Sequence, residues 1–425
     1  MQAKLSELGI ALDQLCIPPP EWVTQIGHQG MLDFQFRMRE IGWWHGGAVL
    51  LVPYRRIANQ ALLSLFDERC EMFFGSDHQS RLFAELISLQ RCCGTSFNVF
   101  KLPTGEIVPW QEAGAAMICQ WEAEGRGYPL REEYDRRSGW LDQVQANFAE
   151  MRMRWGMAPN DWYVCLHLRD ASHYGEIEGV GQTHRNAEVA NHLPMIKHIA
   201  RRGGWVVKLG GRRSPKLPPM KRVVDYGRGS FKSDIMDLHL IRHCRWFIGT
   251  TSGLTNVAVA FGVPCALVNC ISVDAQLWGN RVRFALKPVR THEGRMPSKR
   301  ELASTPWRWR IFSADVMLRH RAVPATNTPE EVLETVKEVE LLANESPPGG
   351  CSQNATSLIE KWRLCLDLPH FYGNARPSAY YLRKYEREFL AALGREWSAE
   401  PERCPTIHGH GLDPPTGRTI RSPVL

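Results

Sequence analysis

Between Trp162 and Asn269, short apolar runs alternate with stretches of helix length, and this alternation narrows the possible architectures to very few. WYVCLHLR, WVVKLGG, RVVDYG, WFIGT and CALVN read as strands, while LPMIKHIARRGG, SDIMDLHLIRHC and GLTNVAVAFG between them carry helical spacing. Strands that are apolar on both faces and alternate with helices predict a parallel sheet covered on both sides, with ligands at the carboxyl ends of its strands. Glycines close the first of these helices, and Ser233 or Asp234 is placed to cap the second.

The part preceding Pro159 repeats the alternation. VTQIG is expected as a strand, MLDFQFRMREIG as a helix, GGAVLLVPYRR as a strand, IANQALLSLFDERC as a helix and CEMFFG as a strand. A helix around WLDQVQANFAEMRMRWG then leads into MAPND, which reads as a linker. After Asn280 the pattern weakens. PSKRELASTPWRWRIFS reads as loop-rich, and TPEEVLETVKEVELLANES as a helix with Thr328 as cap and Glu331 in the capping-box position. Two further helices, around SLIEKWRLCL and AYYLRKYEREFLAALGREW, precede a polar tail expected to be flexible. A chain of 425 residues exceeds what one hydrophobic core serves. The expected class is α/β, with two Rossmann-like domains facing a cleft: 1–157, 158–345, and a helical extension and tail over 346–425. No internal repeat is present.

A net charge of +7 favours anionic ligands such as nucleotides, phosphates or acidic glycans. It does not point to nucleic acid, because no Lys/Arg stripe with interleaved aromatics occurs. The 12 cysteines are scattered without metal-type spacing, which fits reduced thiols in a cytoplasmic protein. The first residues lack the apolar core of a signal peptide, and no apolar run is long enough to span a bilayer, so any membrane role is expected to be peripheral.

The strand WFIGT ends in Thr250, Thr251, Ser252 and Gly253, directly before a helix. Such a turn gathers backbone N–H groups and hydroxyls where the helix dipole is positive, and so suits a phosphate. The alternative is that Ser252 only caps the helix. His167 and Arg169 end the strand WYVCLHLRD on one face, and the arginine fork suits the same phosphates. Arg169 can equally form a surface ion pair with Asp170. Lys208, near the end of WVVKLGG, offers a second cation or a solvated lysine.

HLRD, RRGGWVVKLGG, VVDYG and SDIMDLHLIRHCRWFIGTTSGLTNVAVAFGVP, in this order and followed by LVN, resemble a family of bacterial glycosyltransferases found among surface-polysaccharide genes. QIGH and AVLLVPYRRIANQALL resemble the opening elements of that family, and the likeness runs over roughly residues 22–345. TTSGLTNVAVAFGVP also resembles the T/D-S-G-x-x-H segment of heptosyltransferases, and HLRD the H-x-R motif of fucosyltransferases. All are built on the two-domain GT-B fold. The resemblance implies a nucleotide-sugar donor held by the second domain, with Arg169 and Thr251-Ser252-Gly253 on the diphosphate and Asn269 near the nucleoside. It also implies an acceptor, carbohydrate or lipid-linked, entering from the first domain. Two departures bear on the donor: Lys208 stands where the family carries arginine, and Asn256 where heptosyltransferases carry histidine.

Inverting transfer needs a base for the acceptor hydroxyl, and cations and N–H groups for the developing diphosphate charge. His28 in QIGHQG is the first candidate, or else a helix-start histidine satisfied by backbone. Asp170 is the second, and Glu176 and Glu178 lie in the adjacent loop. A retaining mechanism needs no such base. GT-B enzymes usually work without a bound metal, no paired-carboxylate segment is present, and no cofactor is expected beyond the nucleotide-sugar co-substrate. Trp43-Trp44, Trp278 and Trp307-Arg308-Trp309 suit either sugar stacking or the core. His408 and His410 stand in the polar tail. Two other readings remain: a GT-B nucleotide-sugar epimerase, which would carry acidic residues just after the turn, and a non-catalytic nucleotide- or glycan-binding module.

Overall fold

The structure is a computed structural model that describes residues 6, 21–43, 49–53, 57–75, 85–86, 99–169, 184, 186–271, 279–295, 317–318, 321–344 and 374–388. In the first part, β1 (Val49–Pro53) and β2 (Glu71–Gly75) pair in parallel from Val49↔Glu71 to Pro53↔Gly75. A short helix, Gln60–Ser64, lies between them, capped by Asn59, whose side chain accepts from the Leu62 N–H at 2.7 Å. β3 (Val99–Lys101) and β4 (Ile107–Pro109) form an antiparallel pair. Helices Trp110–Ala123, Pro129–Arg136 and Ser138–Trp155 follow, the last closed by Gly156 in the left-handed region.

The strand expected at VTQIG is instead helical: Glu21–Thr24 forms one turn, and Ile26–Glu40 a long helix. Five residues with two apolar side chains, Val23 and Ile26, are too few to separate the two periodicities, and tertiary contact decides. Trp22 and Val23 are buried, and Gly27 and Gly30, which read locally as a turn, lie along a helix crossing.

The second part holds a seven-stranded sheet in the order β13-β10-β9-β8-β5-β6-β7. Its strands are β5 (Tyr163–Leu166), β6 (Trp205–Lys208), β7 (Val223–Val224), β8 (Phe247–Gly249), β9 (Cys265–Cys270), β10 (Val282–Leu286) and β13 (Arg376–Pro377). A separate antiparallel pair joins β11 (Val289–Arg290) to β12 (Val323–Pro324). All seven strands of the large sheet run parallel, and β5, β6, β8 and β9 are buried along their whole length, as strands covered on both faces must be.

The chain builds outward from β5 through β6 to β7, then returns to the other side of β5 as β8 and continues to β9 and β10. The strand order therefore reverses between β5 and β8, and it is at such a reversal, at the carboxyl ends of the strands, that parallel α/β sheets hold their ligands.

Helices cap the strands as their sequences dictate. Ser233 accepts from Met236 N–H at 3.3 Å and opens helix Asp234–His243. Thr328 and Glu331 exchange side-chain and backbone bonds of 3.3 and 3.1 Å at the start of helix Pro329–Asn344. Two strands of the large sheet are not legible in the sequence, nor are the short pairs β3–β4 and β11–β12. β10 lies second from the sheet edge, but Arg283 interrupts its apolar run, and β13 is too short to announce itself. β13 comes from beyond residue 345 yet completes the sheet against β10. Helix Ala379–Lys384 follows it, held by Glu338, which accepts from Ser378 Oγ at 2.7 Å. The helix expected at SLIEKWRLCL and the tail histidines lie outside the described residues.

The two parts are packed closely together. Asn256 Nδ2 donates to Gly27 O at 2.9 Å, Arg37 to Ala260 O at 3.1 Å, and Asn59 Nδ2 to Asp234 O at 3.1 Å.

Candidate functional site

The carboxyl ends of β5 and β8 meet where the strand order reverses. His167 follows β5, and its backbone N–H donates to Ile248 O at 2.8 Å, continuing the ladder. Its ring then lies beside Ser252 at the end of β8, with Nδ1 and Oγ 3.1 Å apart. The glycine loop after β6 closes the other side, since a Cβ on Gly210 would stand 4.0 Å from His167 Cδ2.

Ser252 occupies the N-cap position of helix Gly253–Ala260 in extended backbone, but its side chain makes no cap bond. The hydroxyl instead meets His167 and, at 3.3 Å, Thr255 Oγ1. Thr255 Oγ1 in turn donates to Thr250 O at 2.5 Å, and Thr250 Oγ1 donates to Asn269 O at 3.2 Å. The hydroxyls of Thr250, Ser252 and Thr255 thus form one ordered set, and Thr250, Thr251 and Ser252 are all buried.

The flank of this helix at Gly253 is tightly packed. A Cβ built on Gly253 would lie 2.7 Å from Gly27 N, and one on Gly27 2.8 Å from Gly253 Cα. The same crossing brings His28, next to Gly27, to the start of this helix. Its ring is half-buried, edge-on to Trp22 at 5.9 Å. Asp170, Glu176 and Glu178 lie outside the described residues.

Lys208 is wholly buried, with Nζ donating to Ser214 Oγ at 2.8 Å and to Asp225 Oδ1 at 3.1 Å. Its charge is balanced by Asp225, and it anchors the Gly210–Ser214 loop against the site. Arg169 is buried, and its carbonyl accepts from Ala187 N–H at 3.0 Å, so the chain entering helix Val189–Arg201 lies directly over it.

Asn269 has φ +58°, a left-handed conformation that asparagine tolerates better than most residues. A reciprocal pair with Asn327 holds it: Asn269 N–H donates to Asn327 Oδ1 at 2.5 Å, and Asn327 N–H to Asn269 Oδ1 at 2.8 Å. Asn327 Nδ2 reaches Leu286 O and Glu331 Oε2, both at 2.8 Å.

Two members of this region were not found by reading the sequence. Asn327 gave no signal, because its partners are remote in the chain. Lys287, in FALKPVR, had a faint one: a cation directly after an apolar run and before proline. It is buried at the end of β10 and donates to His184 O at 2.9 Å and Asn186 O at 2.8 Å. Burial, with Arg169 close by, pulls its ammonium down to about 8, against an opposing pull from Glu188.

The carboxyl ends of β5, β6, β8, β9 and β10 thus carry His167 and Arg169, Lys208, the hydroxyl turn, Asn269 and Lys287. Such a rim suits an anionic ligand with hydroxyl groups. Among the described residues, no group of three or more His, Cys, Asp or Glu side chains converges to hold a metal ion.

No family model matches the sequence, and no curated protein matches it. Two solved structures are similar in coordinates. One is the ADP-heptose LPS heptosyltransferase II of E. coli, with TM-score 0.41 and 13% identity, covering 77% of this chain and 98% of that one. The other is a glycosyl transferase family 9 protein from Veillonella parvula, with TM-score 0.39 and 9% identity, covering 74% of this chain and 95% of that one. At these scores the likeness carries no weight of its own, and function rests on the geometry of the rim.

Proposed function

We propose that this chain is a GT-B glycosyltransferase that moves a sugar from a nucleotide-sugar donor to a carbohydrate or lipid-linked acceptor in surface-glycan biosynthesis. One observation carries the reading: His167, Arg169 and the Thr250–Ser252 turn converge at the carboxyl ends of β5 and β8, where the strand order reverses. Crevices of that kind hold nucleotides in parallel α/β sheets.

In this reading Arg169, Thr250, Thr251, Ser252 and Gly253 receive the donor diphosphate and Asn269 lies toward the nucleoside. The His167–Ser252 contact fixes the direction of the serine hydroxyl. Lys208 acts through the Gly210–Ser214 loop, its own charge being balanced by Asp225. Transfer is metal-independent and inverting. His28 accepts the proton of the acceptor hydroxyl as that oxygen attacks the anomeric carbon, while the bond to the diphosphate breaks and the rim's cations take up the charge on the leaving oxygen. Asp170 is the second candidate for the base. Cys70, Cys165, Cys244 and Cys265 carry free thiols, in keeping with a cytoplasmic site of action. No helix among the described residues is long and apolar enough to cross a membrane.

A thermal-shift screen against nucleoside diphosphates and nucleotide-sugars tests the reading, because a ligand that binds only the folded state raises the melting temperature. Selective stabilisation by one nucleotide-sugar, followed by sugar transfer, is expected. No response to any of them overturns it, and binding without turnover would make the chain a binding module.

A further inference from the structure

Lys287 is a buried cation with an incomplete set of partners. Its ammonium has three N–H donors, and the two bonds it makes go to the neutral carbonyls of His184 and Asn186, at 2.9 and 2.8 Å. Among the described residues no carboxylate forms an ion pair with it, although the residue is only 5% exposed. A buried charge without a counter-charge is costly, and it is retained where something anionic completes it.

A second group nearby is also incomplete. The side-chain amide of Asn269 is oriented by its reciprocal pair with Asn327, so Oδ1 faces the Asn327 N–H. That orientation leaves Nδ2 as a buried donor with no acceptor among the described residues. Asn269 is 1% exposed, and its backbone carbonyl accepts from Thr250 of the hydroxyl turn.

Both incomplete groups stand on adjacent strands, β9 and β10, at the end of the sheet that bears Arg169. The segment 186–188 joins them to it: Asn186 accepts from Lys287, and Ala187 donates to Arg169 O at 3.0 Å. Two charged or ionisable groups besides Arg169 face the ammonium: Glu188 from the same segment and Cys270 from the end of β9.

We propose that Lys287 is a binding residue for the anionic part of the donor, completing with Arg169 a two-cation clamp on the diphosphate, with Asn269 Nδ2 donating to an adjoining oxygen of the same ligand. This rests on the diphosphate reading of the Thr250–Ser252 turn and goes beyond it by extending the site two strands toward β10. The ammonium, already drawn down to about 8 by burial and by Arg169, becomes more basic when an anion arrives. Binding at alkaline pH therefore takes up a proton.

The test is isothermal titration of the full-length protein with ADP, GDP, UDP, CDP and dTDP. For the diphosphate that binds the native chain, Lys287→Met is expected to weaken affinity by about tenfold or more, the scale of a lost charged hydrogen bond, while Lys287→Arg keeps most of it. Equal affinity in Lys287→Met overturns the assignment and leaves the diphosphate site standing. Should that variant fail to fold, the native protein decides. Titrations near pH 8.5 in two buffers of different ionisation heat are expected to show net proton uptake that disappears in Lys287→Arg. Absence of uptake, or uptake that persists in Lys287→Arg, overturns the proposal. If no diphosphate binds the native chain, the diphosphate reading itself falls, and this inference with it.

Discussion

Gly27 and Gly253 meet backbone to backbone where the helix of the first part crosses the helix following the hydroxyl turn. The contact leaves no room for even a methyl group. Gly27→Ala is expected to destabilise the protein by about 1–3 kcal/mol through overpacking. Gly139, exposed in helix Ser138–Trp155 with nothing within 4 Å of a built Cβ, supplies the control. There alanine should stabilise by roughly 0.5–1 kcal/mol. Thermal denaturation of both variants checks the pair, and an unchanged melting temperature for Gly27→Ala would contradict the crossing.

Ser252 and Arg169 separate binding from folding. Arg169→Ala is expected to lose about 1.5–3 kcal/mol of nucleotide binding, and Ser252→Ala about 1 kcal/mol. Because the Ser252 hydroxyl makes no cap bond, the serine variant should keep its melting temperature. Loss of stability with affinity intact would restore the capping role.

Arg37 lies buried beside Asp33 at 2.6 Å and reaches across to Ala260 O. Removing Arg37 leaves the buried Asp33 carboxylate with only the more distant Arg69, at 3.7 Å, so Arg37→Met should cost about 3–5 kcal/mol. Asp33→Leu combined with Arg37→Met should cost less than Arg37→Met alone. Chemical denaturation of the single and double variants measures the difference, and additive losses would exclude the coupling.

His239 sits beneath helix Pro129–Arg136, its Nδ1 2.9 Å from the Tyr134 hydroxyl, and burial lowers its pKa to about 3. His192, buried against Glu188 O, is lowered to about 4. Both folded values lie below the ordinary value of 6.5, so the unfolded chain takes up protons first as pH falls. The stability these neutral rings contribute is whole above pH 6.5 and is lost on descending toward pH 3 to 4. The melting temperature is expected to drop steadily over that window, and His239→Gln should flatten the profile. An identical profile in the variant would show that His239 stays neutral for another reason.

Much of the second part could be read from the sequence because its strands are buried on both faces, which makes their apolar runs continuous and their boundaries sharp. β10 escaped because Arg283 lies in its middle and bonds back to the carbonyls of Asn280 and Val282, so a charged residue sits where the pattern demands an apolar one. The helix at Gly27 escaped for the opposite reason: its glycines satisfy a crossing partner more than two hundred residues away. Of the candidate site, the hydroxyl turn, His167 and Arg169 were visible, since each ends a strand. The balance of Lys208 by Asp225, and the lack of any such balance at Lys287, depends on which strand ends are neighbours. That information exists only once the sheet is assembled.

The placement of β13 has a consequence for biosynthesis. Arg376 and Pro377 pair with β10, whose own residues leave the ribosome long before them. Until residues 376 and 377 are made, the β10 edge at Arg283 and Phe284 stands uncovered, and a chain cut after helix Pro329–Asn344 would keep it so. β13 therefore works as a late seal on Arg283 and Phe284, and chains terminated before it keep a sticky border there that chains reaching residue 377 cover.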